Sequence, residues 1–532
     1  MNRFIRAERR IVTILFNIAF LIILPISAWA EFRVPIHPYE KIRSNNSETP
    51  LDTYVTTQLN KLGTEPGNLC SDEVFIRRVY LDVIGTLPDQ QEVILFLRDQ
   101  TPNKRARLID TLLARPEFAE YWALKWCDIL RVKSEFPINL WPNAVQGYHH
   151  WIRDSIKENK PYTQFVRELL TSSGSNFRVP PVNFYRATQS RDSAGLASAV
   201  ALTFMGTRLD TWPESYRAGM AAFFSRVAYK KTDEWKEEIV YVYPATTTAI
   251  EASFLDSKKV VISPDKDPRQ VFADWLITSD NPWFAQNIVN RIWAWLLGKG
   301  IINEPDDIRP DNPPANPELL VYLEKELVKS NYDLKHIYRL ILNSATYQGT
   351  SIPYDTPQNP AIEYAAYQIR RLDAEVLIDA FDWLGGTGES YSSAIPEPYT
   401  NIPEYNRTIS LADGSITSQF LEMFGRPVRD TGLVSERNNE VSDAQRLYLL
   451  NANELQRKIE QSRRLRRIYD NNRKNQANLI RMVYITVLSR FPTPAEIEIA
   501  NTYFSTQGIS QKQAADDLVW VLINTKEFLY RH

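Results

Sequence analysis

Glycine and cysteine are both scarce in this chain. Eighteen glycines among 532 residues, set against abundant Leu, Ile, Ala, Glu, Lys and Arg, favour helix. The two cysteines, Cys70 and Cys127, form no C-x-x-C pair and have no histidine beside them, so nothing nearby in sequence completes a thiolate metal site. Charge of one sign is lacking too. Lys and Arg number 62, Asp and Glu 64, for a net charge of −2, which leaves no basic footprint for nucleic acid. The chain has no G-x-S-x-G elbow, no phosphate loop and no H-E-x-x-H pair. Past the first thirty residues, no segment is apolar enough to span a bilayer.

Those first thirty residues read as an address. "MNRFIRAERR" carries four arginines, and "IVTILFNIAFLIILPISAWA" is an apolar stretch closed by Ala28-Trp29-Ala30. A basic start, an apolar middle and small residues before the cut describe a secretory signal peptide, with the mature chain starting at Glu31. An uncleaved anchor is the alternative, since the apolar run nearly reaches membrane length. The expected location is secreted or periplasmic, with no membrane span after cleavage. An oxidising compartment permits Cys70 and Cys127 to pair, but Cys127 lies among bulky residues in "YWALKWCDIL", where a buried free thiol is as natural.

The length suggests about three domains. Helical spacing of apolar residues dominates from residue 50, as in "SDEVFIRRVYLDVIG", "PYTQFVRELLTSS" and "DLKHIYRLILNSATY". "KEEIVYVYPATTTA" and "KKVVISP" interrupt it with β-branched residues and read as strands. A Gly-, Ser- and Pro-rich stretch over 385–418 reads as a long loop. The predicted fold is mainly α, two helical domains joined by a small β-containing connector. A weak repeat is also visible. Val79, Tyr80, Val83, Pro88 and Glu92 align with Val483, Tyr484, Val487, Pro492 and Glu496, and Glu117-Phe118 answers Glu527-Phe528. Two copies suggest related helical subdomains rather than a solenoid.

Charges on apolar faces are the most informative positions. Read as one helix, "IEYAAYQIRRLDAEVLIDAFDWL" gathers Ile362, Ala366, Ile369, Val376, Leu377 and Ala380 on a stripe that includes Asp373. A buried carboxylate needs a partner, and Arg370, Arg291 and Arg339 are the candidates. Asp82 lies beside Phe75 and Val79, with Arg78 one turn earlier to answer it. "NIVNRIWAWLL" leaves a narrow polar stripe of Asn287, Asn290 and Arg291, and "HIYRLILN" a similar one of His336, Arg339 and Asn343. Asp82, Arg78, Asn290, Arg291, His336, Arg339, Arg370 and Asp373 are therefore expected to form a buried polar network. Such a network serves packing geometry more often than catalysis, although perturbed groups also gather at active sites.

Other signals for chemistry are thin. His149 and His150 are adjacent, so on a helix they face different directions and do not make a metal pair. Glu304, Asp306, Asp307 and Asp311 offer oxygen ligands without the order of a calcium loop. They run into a helix start, with Asn316 as cap and Pro317 at its first position. Aromatic residues are numerous, but at helical spacing they read as core rather than as sugar platforms. No metal and no cofactor are expected, and no catalytic residue is assigned.

"NPWFAQNIVNRIWAWLLGKGIINEPDDI", "PPANPELLVYLEKELV" and "DLKHIYRLILNSATYQ" closely resemble the C-terminal domain of a planctomycete family of unknown function. "IRRVYLDVIGTLPDQQEVILFLRD", "EYWALKWCDILRV" and "ENKPYTQFVRELLTSSGSNFRVPPVNFYRA" resemble its usual companion, the planctomycete cytochrome-associated domain. "RRLDAEVLIDA", "FLEMFGRPVRD" and "LYLLNANELQRKI" continue the likeness over nearly all of the chain. The expected layout is a signal peptide at 1–30, a cytochrome-associated-type helical domain at 50–225, a β-containing connector at 226–265 and the C-terminal helical domain at 266–532. The resemblance implies a secreted, largely helical protein without an established activity.

Two departures from that family stand out. In haem-carrying relatives a C-x-x-C-H motif follows the stretch like "TFMGTRL", whereas here Arg208-Leu209 runs through Asp210-Thr211 to Trp212. Relatives often carry a cysteine pair before the residues matching Glu436-Arg437, where this chain has Leu433 to Ser435. The bridge from Asp210 to Tyr216 is thus expected to be a haem-free, shortened connector anchored by Trp212, with Asp210 and Glu214 solvated or paired to Arg208 and Arg217. Three functions follow. A structural or binding component of an envelope or polysaccharide-processing assembly, whose partner is an extracytoplasmic protein or polysaccharide, is favoured. The alternatives are a glycan hydrolase using carboxylates such as Asp307 or Asp373, and a redox protein holding haem without covalent bonds.

Overall fold

Local signals at the helix ends decide where the elements begin. In the computed structural model, which describes residues 39–41, 49–244, 247–352, 364–395, 400, 402 and 406–532, Ser71 Oγ accepts from the Val74 amide at the start of Asp72–Val83. Asn281 caps Pro282–Leu297, and Gly298 closes that helix in the left-handed region at φ 93°, where glycine carries no Cβ penalty. Asn316 accepts from Leu319 N at 3.0 Å, with Pro317 opening the helix Pro317–Lys329. Helices form most of the remaining framework. They run from Pro50–Lys61 to Gln511–Ile523, and their apolar faces share one continuous core.

The connector carries the strands. Val227–Lys231 and Glu238–Val242 pair antiparallel, and Gly174–Ser175 adds a short third strand to the same sheet. Ile250–Ser253 and Lys259–Ile262 form a separate antiparallel pair. The architecture is therefore mainly α, with two helical parts joined by a small β-containing connector. The signal-peptide segment lies outside the described residues. No helix among the described residues is long and apolar enough to cross a membrane.

The internal repeat has a structural counterpart. Each copy is a helix, a Pro-marked turn and a second helix opened by a capping box: Asp89 with Glu92 before Gln90–Arg98, and Thr493 with Glu496 before Pro494–Phe504. An arginine grips the box glutamate in both, Arg115 on Glu92 and Arg490 on Glu496. The copies also touch. Arg77, fully buried, donates to Val487 O at 2.9 Å and to Phe528 O at 3.0 Å.

One helix expected from the sequence is shorter than its periodicity suggests. Within 364–385 the helix is Ala374–Gly385 with Asp373 at its N-cap, Arg370–Arg371 is a strand paired to Tyr530–Arg531, and Ile369 is exposed. Ile362 lies outside the described residues. The single stripe from Ala366 to Ala380 is thus not one helix face. Backbone hydrogen bonds to a strand far along the chain override the local helical pattern. Over 385–418, the described residues between Gly385 and Gln419 hold one 3-10 turn, Thr408–Ser410. Asp379 fixes it by accepting from Thr408 N and Ile409 N at 2.7 and 3.2 Å.

Candidate functional site

Asp373 is 1% exposed and is surrounded by cations. Its Oδ2 accepts from Lys125 Nζ at 2.8 Å, Arg531 Nη2 at 3.0 Å and the Tyr121 hydroxyl at 3.1 Å. Asn439 donates to Oδ1 at 3.0 Å. Burial alone would raise its pKa, but Lys125, Arg531 and Arg437 outweigh it and hold the carboxyl well below the usual range. Lys125 is drawn down by burial and by Arg437, against the pull of Asp373. The pair therefore stays ionic because several donors share one carboxylate.

Arg531 extends the cluster to Asp82, whose Oδ1 lies 2.9 Å from its Nε. Tyr347 and Tyr367 hydroxyls complete the other oxygen at 2.9 and 2.8 Å, and Arg370 stands 3.8 Å away. Arg78 serves differently from the expected answer to Asp82. It donates to Tyr347 O and Gly349 O at 2.6 and 2.8 Å and stacks over the Tyr367 ring at 3.8 Å, a cation–π contact in a desolvated site. On the far side, Arg437 bridges Asp128 and Glu375 at 2.7 and 2.6 Å. Arg429 meets Asp128 at 2.9 Å, and Arg426 meets Glu375 at 3.3 Å. Burial raises Glu375, but Arg437 and Arg426 reverse this and bring it to about 2.

Asn290 and Arg291 belong to a second buried centre. The backbone widens into a π-turn over Ala201–Met205 before Gly206, leaving carbonyls at a helix end that need donors. Arg291, fully buried, donates to Thr203 O and to Leu202 O, the latter at 2.7 Å. Asn287 adds a bond to Thr203 O at 3.0 Å. Asp306 neutralises Arg291 at 2.8 Å and accepts from Val434 N at 2.6 Å. Asn290 clamps Ile302 through both its amide and its oxygen, each at 2.9 Å.

His336 and Arg339 do not join either centre. His336 Nε2 lies 3.1 Å from Glu326 at the surface, and Arg339 meets Asp110 at 2.6 Å with both side chains exposed. Their stripe is the solvent face of an amphipathic helix. Neither Arg339 nor Arg291 pairs with Asp373, and Arg370 stands by Asp82 instead. Lys125, Asp128, Glu375, Arg426, Arg429, Arg437 and Arg531 were not expected in the network. Lys125 and Asp128 did carry a signal, as charges on the wholly buried end of Pro116–Ile129.

The acidic loop is occupied by arginine. Asp306 pairs with Arg291, and Asp307 and Asp311 lie 3.1 and 3.4 Å from Arg309. Among the described residues no group of three or more His, Cys, Asp or Glu is placed to hold a metal. Cys70 and Cys127 are separate buried thiols, and burial pushes Cys127 up to about 12. His149 is buried and His150 exposed.

The Asp210–Tyr216 bridge is short. Leu209–Thr211 makes one 3-10 turn, and Trp212 packs on the core with its indole donating to Thr207 Oγ1 at 3.0 Å. Glu214 pairs with Arg217 at the surface, and Asp210 is exposed. Covalent haem does not fit: residues 206–219 contain neither a thiol nor an imidazole.

Residues 208–210 and 430–433 come together around a cleft. Arg208, Leu209 and Asp210 line one side of a cleft of about 420 Å³, and Asp430, Thr431 and Leu433 line another. Arg131, Gln189, Ser190 and Ser198 complete the wall. A second hollow beside Trp122, Trp126 and Tyr338 holds about 30 Å³, room for little more than water.

Two family models match the chain. PSCyt2, a protein of unknown function (DUF1549), covers residues 50–211, and PSD1, a protein of unknown function (DUF1553), covers 268–504. No curated protein and no solved structure matches it.

Proposed function

We propose that this chain, which belongs to the family built from paired PSCyt2 and PSD1 domains, is a non-catalytic binding or structural component of an extracytoplasmic envelope or polysaccharide-processing assembly. The observation that carries this reading is the closure of the carboxylates in its buried ion cluster. Asp373, Glu375, Asp82 and Asp128 each meet at least one guanidinium or ammonium. A glycan hydrolase needs one carboxyl held neutral and another free to act. Asp373 is instead held strongly ionised, and Asp307 is engaged by Arg309. Ion clusters of this kind fix geometry rather than supply protons.

The exposed apolar side chains suit a docking role. Leu447 and Leu450, 59% and 44% exposed, stand on the helix Asp443–Asn451, with Val441 just before it. Export is part of the same proposal, with Ala28 and Ala30 as the small residues read by a signal peptidase.

Capture from native envelope fractions tests the function. Specific retention of an extracytoplasmic protein or polysaccharide is expected, with no release of reducing ends from any retained glycan. Glycan cleavage that disappears in Asp307→Asn or Asp373→Asn would replace this reading with the hydrolase. N-terminal sequencing of native material is expected to begin at Glu31, and an intact Met1 on membrane-bound protein would overturn the export step.

A further inference from the structure

Two arginines lining the 420 Å³ cleft, Arg131 and Arg208, make no ion pair among the described residues. Arg131 is 2% exposed. Its Nε donates to Ala187 O at 2.5 Å and its Nη1 to Thr431 O at 3.4 Å, both neutral carbonyls. Its Nη2 has no hydrogen-bond partner among the described residues. Arg208, half-buried on the same wall, makes no ion pair among the described residues, and its Nε is likewise unpartnered. A buried guanidinium facing only carbonyls is costly to desolvate. Arg77 and Arg78 bear the same cost in the closed core, whereas Arg131 and Arg208 line an open cleft that an anion from outside can enter.

The acids near the cleft do not supply it. Asp430 is already paired with Lys133 at 2.7 Å. Glu436 receives the amides of Asp430 and Thr431 at 3.0 and 3.4 Å, and burial pushes its carboxyl toward the neutral form. Asp210 is at the exposed rim. The rest of the wall mixes small, hydroxyl and amide side chains (Thr188, Gln189, Ser190, Ser198) with Leu202, Leu209 and Leu433. A guanidinium fork matches a carboxylate or sulfate. Hydroxyl and amide groups match the hydroxyls of a sugar, and the volume falls within the range of small-ligand sites.

We propose that this cleft binds an acidic saccharide, with Arg131 and Arg208 receiving its carboxylate or sulfate and the serines and Gln189 facing its hydroxyls. The proposal rests on the binding role argued above and gives it a ligand class.

Calorimetric titration of the full chain with sodium glucuronate, glucose 6-sulfate, inorganic sulfate and glucose tests it. Both acidic sugars or either one are expected to bind, glucose not measurably, and inorganic sulfate more weakly than the sugars. Arg208→Gln, which removes no side-chain hydrogen bond among the described residues, is expected to weaken binding roughly ten- to a hundredfold. Arg208→Lys is expected to lose less. Arg131→Gln is expected to do the same as Arg208→Gln if its melting curve stays cooperative, and Arg208→Gln alone decides if it does not. Inorganic sulfate binding as tightly as either sugar would reduce the cleft to a simple oxyanion site and overturn the saccharide. Absence of binding by every probe, or binding unchanged in Arg208→Gln, would overturn the cleft itself. Retention of an envelope partner by Arg208→Gln in that event leaves the binding role standing, whereas loss of retention by the unaltered chain removes that role independently.

Discussion

Arg531 and Asp373 are 158 positions apart in the chain and 3.0 Å apart in space. The same guanidinium meets Asp82 at 2.9 Å, so one side chain holds two buried carboxylates. Asp373→Ala leaves Arg531 and Lys125 buried without that anion. Removing one member of a buried ion cluster costs about 3–5 kcal/mol, and urea denaturation is expected to show a loss of that order. An unchanged midpoint would mean that the carboxylate contributes nothing to packing.

His149 is one source of acid sensitivity, together with His532, whose pKa burial lowers to about 4. The His149 ring nitrogens have no partner among the described residues, and burial, with His150 and Arg429 nearby, lowers its pKa from 6.5 to about 3. Between those values the unfolded chain binds a proton that the folded chain refuses. This stabilising difference is full above pH 6.5 and is lost as pH falls toward 3, at about 1.4 kcal/mol per pH unit for one proton. His149→Leu is expected to flatten the melting-temperature profile between pH 6 and pH 4 (on the order of one proton's slope). Parallel profiles for the two proteins would contradict this.

Glu375 governs a lower range. Its folded pKa of about 2 lies below the ordinary 4.5, so its stabilisation is present above pH 4.5 and lost as pH falls through 2. Glu375→Gln is expected to be less stable at neutral pH, with a shallower decline below pH 4.5. Stability curves measured from pH 5 to pH 2 decide it.

Gly206 is fixed by space as well as by torsion. Its φ is 62°, and a Cβ there would come within 2.6 Å of Asn287 Oδ1 and 3.0 Å of Pro305 O. Its carbonyl also accepts from Ile308 N at 2.8 Å. Gly206→Ala is expected to cost about 1–3 kcal/mol, read as a lower melting temperature. Ala at Gly386, also at positive φ but with open space around it, should cost less.

The bridge should respond little to loss of charge. Glu214 and Arg217 are 77% and 43% exposed, so neutralising Asp210 and Glu214 together is expected to change stability by about 0–1 kcal/mol. Protein made in a host with cytochrome-maturation machinery is expected to show no Soret band after denaturation. A band that survives would restore covalent haem.

Local features were the legible ones. Asn316 with Pro317, and Glu496 three residues after Thr493, announce helix starts because a cap is made by neighbours in sequence. Charge on an apolar segment marked Asp373 and Asp82 as buried. Their partners stayed hidden because Lys125 and Arg531 are 248 and 158 positions from Asp373. The strand Arg370–Arg371 was read as helix for the same reason, since its partner Tyr530–Arg531 lies far along the chain. His336 and Arg339 looked like network members because a polar stripe on a helix has the same pattern whether it faces solvent or a buried ion. The cleft had no sequence signal of its own. It arises where the Ala201–Met205 turn and the segment before Glu436 approach each other.

The ion cluster also bears on how this gene can be cut. Asp82, Lys125 and Asp128 lie within 50–211, whereas Asp373, Glu375, Arg426, Arg429 and Arg437 lie within 268–504. A chain severed in the β connector would yield two fragments, each with ions whose counter-ions sit on the other. Neither fragment could bury its share alone without heavy cost, yet together they hold complementary halves of one lattice of charges. Such fragments should behave as obligate companions, each expressed poorly by itself and both recovered as a stoichiometric complex when made in the same cell.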